Sequence, residues 1–445
     1  MKIGFIALSG LRLCDKRLLE LGFSFPAVAR RAREIEALPS LGLLTLAGMT
    51  PPPFECEYLE VRDLEEIPVR FDVVALSTLS ATSREAYALA AKFRAAGILV
   101  ILGGLHATLS PEEARSHVDA LVIGEGEVVW PELLQDLLEG NLQPIYDARS
   151  RPPFDLGQSP LPRYNLLEAG RYPRFTVQTQ RGCPWSCDFC AASIRLAPGF
   201  RAKPAGLVVR DIRELKRLYR RPFIEFADDN TFADKRHGKE LMRALAPEEI
   251  RWFTETDVSV AGDPELLALM REAGCYQILI GFESATPGPL QGVEQNANWK
   301  ARRTDRYLRA VECIQSHGIT VNGCFILGLD GQTPDTFEEV FDFVERSGLY
   351  DVQITYLTPF PGTPLWARLS AEGRLLSEDA LERCSLFDIN FRPDQMTVGE
   401  LREGFHELTA RLYAPNFVRQ RTRRFRHHRS RGFASSQPTI ADSVD

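Results

Sequence analysis

Short apolar runs alternate with stretches of helical periodicity along the first 140 residues. Residues 2–8, 55–60, 73–77, 99–102 and 120–123 read as strands, and residues 41–48, 84–95, 111–115 and 129–138 as helices. The run Ser110-Pro111-Glu112-Glu113 carries the signals of a helix start: a serine cap, proline at the first position and glutamate at the third. Strands that alternate with helices predict a parallel sheet covered on both faces, a Rossmann-like α/β module whose ligands gather beyond the carboxyl ends of the strands.

Residues 141–173 hold six prolines and read as a linker between two modules. A second alternation follows. Strands are expected at 175–180, 223–227, 252–257, 276–281, 321–327 and 352–357, with helices at 207–219, 235–245, 264–273, 305–317 and 334–346. Asp263-Pro264 and Thr333-Pro334 each supply a cap followed by a first-turn proline, while Gly274 and Gly318 stand where helix C-terminal glycines belong. Six strand–helix units predict a partial (β/α)6 barrel of the TIM type over 174–363, with its chemistry at the C-terminal strand ends. Residues 364–418 are expected to be mostly helical, with Thr397-Val398-Gly399-Glu400 as a capping box. Residues 419–445 read as a basic, solvated and disordered tail; contact of its arginines with an acidic partner or a nucleic acid is the alternative. The expected modules are therefore 1–140, a linker at 141–173, 174–363, 364–418 and the tail.

Composition narrows the class. The 445 residues are 44% hydrophobic and 25% charged, ordinary for a soluble globular protein, and the net charge of −7 gives no reason to expect nucleic acid as the main partner. The first ten residues have too short an apolar run for a signal peptide, and no run is long enough to span a membrane. A reducing cytoplasmic location is expected, so the nine cysteines are not read as a disulfide framework.

Three of those cysteines change the picture. Cys183, Cys187 and Cys190 are spaced Cys-x3-Cys-x2-Cys directly after the first expected barrel strand. Three soft thiolates on one tight loop suit three corners of a 4Fe–4S cluster, leaving the fourth iron open. A structural zinc site or three unrelated core cysteines is the plainer alternative; against zinc, no second Cys pair or nearby His completes a closed four-ligand set. With Phe189 before its last cysteine, the triplet resembles the signature of the radical S-adenosylmethionine (radical SAM) superfamily. The resemblance implies that the open iron is chelated by the amino and carboxylate groups of SAM. It also implies SAM contacts at Phe189, at Asp228, Asp229 and Asn230 after the second barrel strand, at Glu255 after the third, at Glu283 in Gly281-Phe282-Glu283-Ser284, and at Gly323 in the fifth. For Glu255 a structural ion pair is the competing reading.

Three N-terminal segments resemble the cobalamin-binding domain that precedes one large class of radical SAM enzymes: Pro39-Ser40-Leu41-Gly42, Gly103-Gly104-Leu105-His106-Ala107-Thr108, and Gly124-Glu125-Gly126-Glu127. Paired glycines after buried strands let a backbone approach a flat, bulky ligand. The resemblance implies cobalamin contacts at Leu41, Gly42, Ser77, Gly103, Gly104, His106, Thr108, Gly124, Glu125, Gly126 and Glu127. The Asp-x-His-x-x-Gly motif of many cobalamin proteins is missing, so methylcobalamin without a protein histidine on cobalt is expected; the plainer reading of His106 is a turn histidine bonded to backbone.

Together these features predict a cobalamin-dependent radical SAM enzyme, class B methyltransferase-like, that cleaves SAM reductively and methylates an unactivated carbon. Oxidative cyclisation or rearrangement without methyl transfer, and a non-enzymatic sensor, are the other readings. Expected partners are a small-molecule or natural-product substrate and a reductant such as flavodoxin or ferredoxin. Trp185, Trp252, Tyr356 and Phe360 are candidates to line a pocket for a large apolar substrate, barrel packing being the plainer reading, and residues 286–299 are expected to shape that pocket.

Overall fold

In β1 (Lys2–Ala7) every second side chain goes to the same side of the sheet, and both sides are buried. Ile3, Phe5 and Ala7 belong to one hydrophobic cluster and Ile6 to another. The same division holds for β3 (Val73–Ser77), where Val73 and Ala75 face one way and Val74 and Leu76 the other. Burial on both faces is what parallel strands covered by helices require. These strands come from a computed structural model that describes residues 1–8, 13–24, 38–61, 63–191, 199–376 and 381–435.

The N-terminal sheet is parallel, in the order β2-β1-β3-β4-β5-β6, with β2 at Glu55–Glu60, β4 at Leu99–Gly103, β5 at Ala120–Ile123 and β6 at Ile145–Asp147. β6 lies inside the expected linker: the proline-rich stretch opens with an edge strand before it crosses. The helices named here are α1 (Lys16–Ser24), α2 (Leu41–Met49), α3 (Ser83–Ala95), α4 (Leu105–Leu109) and α5 (Gly126–Glu139). α5 begins a turn earlier than expected and runs through Pro131. Ser110 precedes a single turn, Pro111–Ala114, but its side chain makes no capping bond.

The second module starts with β7 (Phe175–Val177). A two-stranded antiparallel ribbon, β8 (Gln180–Arg181) with β9 (Arg201–Ala202), flanks the cysteine loop. The open barrel runs β14-β13-β12-β11-β10-β7, all parallel, with β10 at Phe223–Phe226, β11 at Arg251–Thr256, β12 at Cys275–Glu283, β13 at Thr320–Leu327 and β14 at Asp351–Tyr356. Its helices are α6 (Ala205–Leu218), α7 (Lys235–Leu245), α8 (Pro264–Glu272), α9 (Tyr307–Ser316) and α10 (Thr336–Ser347). Asp263 caps α8 by accepting from the Leu266 amide at 3.0 Å. α10 starts later than the Thr333-Pro334 signal suggests, with Asp335 at its cap position.

Gly274 ends α8 at a φ of +90°, and a Cβ there would lie 1.9 Å from the Ile250 carbonyl oxygen. Gly274→Ala is therefore expected to cost at least about 1–3 kcal/mol, read as a lowered midpoint in thermal unfolding.

Beyond the barrel lie α11 (Pro364–Ala371), α12 (Val398–Leu412) and α13 (Pro415–Ser435). The region is less helical than expected, since the described residues between α11 and α12 are irregular. The Thr397–Glu400 capping box is present. The expected disordered tail is corrected: α13 runs helically through the arginines to Ser435. Phe417, Arg421 and Phe425 recur every fourth residue, so they share one helix face, and all three are buried. Arg421 lies over the Phe417 ring and donates to the Leu412 carbonyl at 3.0 Å. The last ten residues of the tail lie outside the described residues.

The chain's opening segment is tied to this region. The Cys14 and Asp15 amides donate to Asp388, and His406 Nε2 lies 2.8 Å from Asp15 Oδ2. No helix among the described residues is long and apolar enough to cross a membrane.

Candidate functional site

At the carboxyl end of the N-terminal sheet lies a cavity of roughly 410 Å³ whose far wall comes from the barrel module. Leu41, Gly42, Ser77, Gly103, Gly104, Gly124, Glu125, Gly126 and Glu127 all line it. β3, β4 and β5 end together, and the turns after them form its floor. Gly104 is required by that floor's own geometry: its φ is +96°, and a Cβ would fall 2.9 Å from both Ser77 Oγ and the Thr78 carbonyl oxygen.

Two of the named residues do not face this cavity. His106 is fully buried beneath the floor, with Nε2 2.7 Å from the Tyr87 hydroxyl and 2.9 Å from Glu113, and Nδ1 3.3 Å from Ser80. Its partners are side chains, not the backbone of a turn. Burial holds its pKa below the ordinary histidine value. Thr108 is also withheld: its Oγ1 donates to the Gly104 carbonyl and accepts from the Gly124 amide at 3.0 Å, tying two floor turns together.

Glu125 and Glu127 line the cavity, but their carboxylates are already engaged. Arg181 donates to Glu125 and to Glu127, each at 2.7 Å, and Arg201 donates to Glu125 at 2.7 Å. Burial would raise the Glu125 pKa; hydrogen bonds from Arg201 and Arg181 outweigh it and hold the carboxyl below its usual range. These acids join the two modules through the ribbon that flanks the cysteine loop. Nothing in their spacing named Arg181 or Arg201 as partners, because the contact is set by tertiary packing.

The chemistry of the lining suits a corrin, a flat apolar macrocycle edged with amides. Apolar side chains such as Leu46, Leu76 and Ile101 accompany Ser40, Thr45, Gln178 and Gln180. The buried Gln180 amide oxygen has no hydrogen-bond partner among the described residues, an acceptor suited to an amide N–H. No histidine is among the described residues that line this cavity.

A second cavity, roughly 430 Å³, opens at the C-terminal end of the barrel strands and is lined by Cys183, Cys187 and Cys190. Burial pushes the Cys183 thiol up to about 11 and the Cys187 thiol up to about 12. Thiolates in such a place need a cation, which metal ligation would supply. No group of three His, Cys, Asp or Glu side chains among the described residues closes around a single ion.

The cysteine loop is held by residues 286–299 and, on a further side, by α11. Cys187 forms an antiparallel bridge with Glu294, the Asp188 amide donates to the Val293 carbonyl at 2.8 Å, and the Gln295 amide donates to the Ser186 carbonyl. Residues 286–299 thus buttress the loop, with Trp299 packed against Trp185 at 4.7 Å between ring centroids. α11 closes the further side through the Leu365 amide, which donates to the Asp188 carbonyl.

Phe189, Asp229, Asn230, Glu255 and Glu283 line this cavity, as the radical SAM resemblance implies for SAM contacts; Asp228 and Gly323 do not. Asp228 is buried behind the wall, where it accepts from the Thr179 and Gln180 amides and from the Thr179 and Thr231 hydroxyls. A Cβ on Gly323 would meet Leu349 and Phe282 in the outer packing, while its neighbours Cys324 and Ile326 face the cavity. Asn230 is a hub: it donates to Asp257 Oδ2 at 2.8 Å, its amide nitrogen lies 3.9 Å from Cys183 Sγ, and it accepts from the Thr256 hydroxyl. Asp257 and Lys300 were not singled out from the sequence. Lys300 is half-buried and donates to Glu283 and to the Gly281 carbonyl; burial alone would lower its pKa, but Glu283 and Cys187 hold it above the ordinary lysine value. Trp185, Tyr356 and Phe360 line the cavity, whereas Trp252 is barrel core, stacked on Phe226.

Leu105 and Asp229 line both cavities, so the two sites meet across one thin partition.

Comparison with known proteins agrees with this layout. The B12 binding domain model matches residues 37–134, the radical SAM superfamily model matches residues 177–344, and a domain of unknown function (DUF4070) matches residues 363–441. The bacteriochlorophyllide d C-12(1)-methyltransferase of Chlorobaculum tepidum is 28% identical over 389 residues, covering 86% of this chain and 84% of that protein. An uncharacterized methyltransferase of Synechocystis is 31% identical over 384 residues, covering 83% and 70%. The hopanoid C-2 methylase of Rhodopseudomonas palustris is 26% identical over 397 residues, covering 86% and 73%. Among solved structures, the radical SAM methyltransferase TsrM from Kitasatospora setae, with cobalamin and a [4Fe-4S] cluster bound, shares the fold at a TM-score of 0.66 and 14% identity, covering 97% of this chain and 99% of that one. The cobalamin-dependent radical enzyme OxsB does so at 0.68 and 14%, covering 97% and 71%. The chain belongs to the radical SAM enzymes that carry an N-terminal B12-binding domain, the family of cobalamin-dependent radical SAM methyltransferases.

Proposed function

We propose that this enzyme methylates an unactivated carbon of a mostly apolar natural product, with methylcobalamin in the N-terminal cavity and a 4Fe–4S cluster with SAM in the barrel cavity. The observation that carries this reading is the shared boundary of the two cavities at Leu105 and Asp229. A substrate placed there would lie between both cofactors, and such proximity is what two-cofactor chemistry needs. Bound together, these groups supply a radical at a substrate carbon and a methyl group to capture it.

The chain's own residues orient and exclude. Cys183, Cys187 and Cys190 hold the cluster. Asn230, fixed by Asp257 and Thr256, presents its amide toward Cys183 and the SAM side of the cavity. Glu255 and the Glu283–Lys300 pair offer charged partners for the amino and carboxylate groups of SAM. Phe189 and Ile326 give its adenine an apolar bed. Leu41, Gly42, Ser77, Gly103, Gly104, Gly124 and Gly126 cradle the corrin, while His106, engaged by Glu113 and Tyr87, is held away from cobalt. Leu279, Leu357, Phe360 and Leu386 line the barrel cavity with apolar surface for the substrate. The reading places the enzyme in a reducing cytoplasm, served by flavodoxin or ferredoxin.

The test is anaerobic incubation of reconstituted enzyme with methyl-deuterated SAM and extracts of its native host. The expected result is a product heavier by a trideuteromethyl group, with 5′-deoxyadenosine formed in step. SAM cleavage with an unlabelled, cyclised or rearranged product would replace methyl transfer with the other radical reading.

A further inference from the structure

Reductive SAM cleavage takes an electron from outside the chain, and one surface is built to receive a carrier. A cleft of roughly 900 Å³ lies among the start of α7, the turn Val258–Gly262 after β11, the turn Ala301–Arg306 and the start of α9. Lys235, Arg303, Arg306 and Arg309 line it, with Asp305 as the one carboxylate. None of the four cations is ion-paired among the described residues: Lys235 donates to the Ser259 carbonyl and Arg303 to the Trp299 carbonyl at 3.2 Å. Arg306 and Arg309 are exposed. On a chain of net charge −7, such a cluster is a local reversal of sign.

This cleft also connects to the cysteine loop. The Arg303 guanidinium lies 4.5 Å over the Trp299 ring, and Trp299 packs against Trp185, which stands between Cys183 and Cys187. Trp185 Nε1 donates to Asp257, the partner of Asn230. A continuous contact path of aromatic rings thus runs from the basic cleft to the metal-binding loop.

We propose that the cleft lined by Lys235, Arg303, Arg306 and Arg309 is the docking site of an acidic electron-transfer protein of the flavodoxin or ferredoxin type. This assignment rests on the reading of the cysteine loop as a cluster site. The carrier gives up one electron, the centre on the cysteine loop gains it, and no bond is made or broken. Charge complementarity steers the encounter, and α13, packed along α9, adds the exposed Arg419, Arg423 and Arg426 to the same module.

The test titrates oxidised flavodoxin of net negative charge into the holoenzyme and follows binding by calorimetry. Wild type binds, and its affinity falls as salt rises. The R306E/R309E variant loses at least about tenfold in affinity and slows flavodoxin-driven SAM cleavage in proportion, while dithionite-driven cleavage and circular dichroism stay as in wild type. R220E, an exposed arginine outside the cleft, changes neither. Unchanged affinity in R306E/R309E, an equal loss in R220E, or tighter binding of duplex DNA than of flavodoxin overturns the docking assignment. A wild type that shows no cluster absorbance and no cleavage with either reductant overturns the reading of the cysteine loop instead, and the flavodoxin titration then decides the surface by itself.

Discussion

Cys187→Ala is expected to reduce SAM cleavage to background and to remove the iron–sulfur absorbance, with cobalamin binding kept near wild-type affinity. Cys187 is the buried member of the triplet, and its backbone bridges to Glu294, so it stands at the centre of the loop with its thiol in the barrel cavity. Two thiolates on a loop of this length leave two irons open, and a cubane held by only two protein ligands is labile. The corrin cavity is lined by none of the three cysteines, which is why the two losses separate. The measurement pairs iron and sulfide analysis with 5′-deoxyadenosine assay and a cobalamin titration. Retention of a full cluster, or equal loss of both cofactors, would contradict this division of labour.

Arg181→Met has the next largest effect. It leaves Glu127 without its guanidinium and Glu125 with Arg201 alone, at the seam between the modules. Removing one member of a fully buried ion cluster costs about 3–5 kcal/mol, because the remaining charge stays desolvated; this cluster is half-buried, so the loss is expected below that range. The variant is expected to unfold at lower temperature and to bind cobalamin more weakly, since the far wall of the corrin cavity loosens. The pH dependence has a definite sign. The Glu125 pKa is depressed in the folded protein, so its contribution is present above the unfolded carboxylate value, about 4.3, and disappears as pH falls through the folded value. The gap in melting temperature between wild type and Arg181→Met should therefore be wide at neutral pH and close below about pH 4. A gap independent of pH would show that Arg181 acts by packing alone.

The strand–helix alternation was legible because parallel strands buried on two faces leave near-continuous apolar runs, and the glycine turns after β4 and β5 marked the turns that line the N-terminal cavity. The cysteine triplet was legible as a unit because its three members are close in sequence, and the structure brings all three to one cavity. Long-range pairs were not. Arg181 meets Glu125 from 56 residues away and Asn230 meets Asp257 from 27, and no spacing rule encodes such meetings. His106 was misplaced because a glycine-rich turn shows where the backbone bends but not which way the next side chain points. The tail was misread for a simpler reason: counting arginines hid the Phe417, Arg421 and Phe425 spacing that binds α13 to the barrel.

The tie between Asp15 and both Asp388 and His406 has a consequence for biosynthesis. Its partners are separated by 373 and 391 positions, so the emerging chain can build its first sheet early yet cannot fasten Asp15 until Asp388 and His406 have left the ribosome. A nascent fragment stopping short of α12 would carry the N-terminal sheet with its Asp15 latch still open.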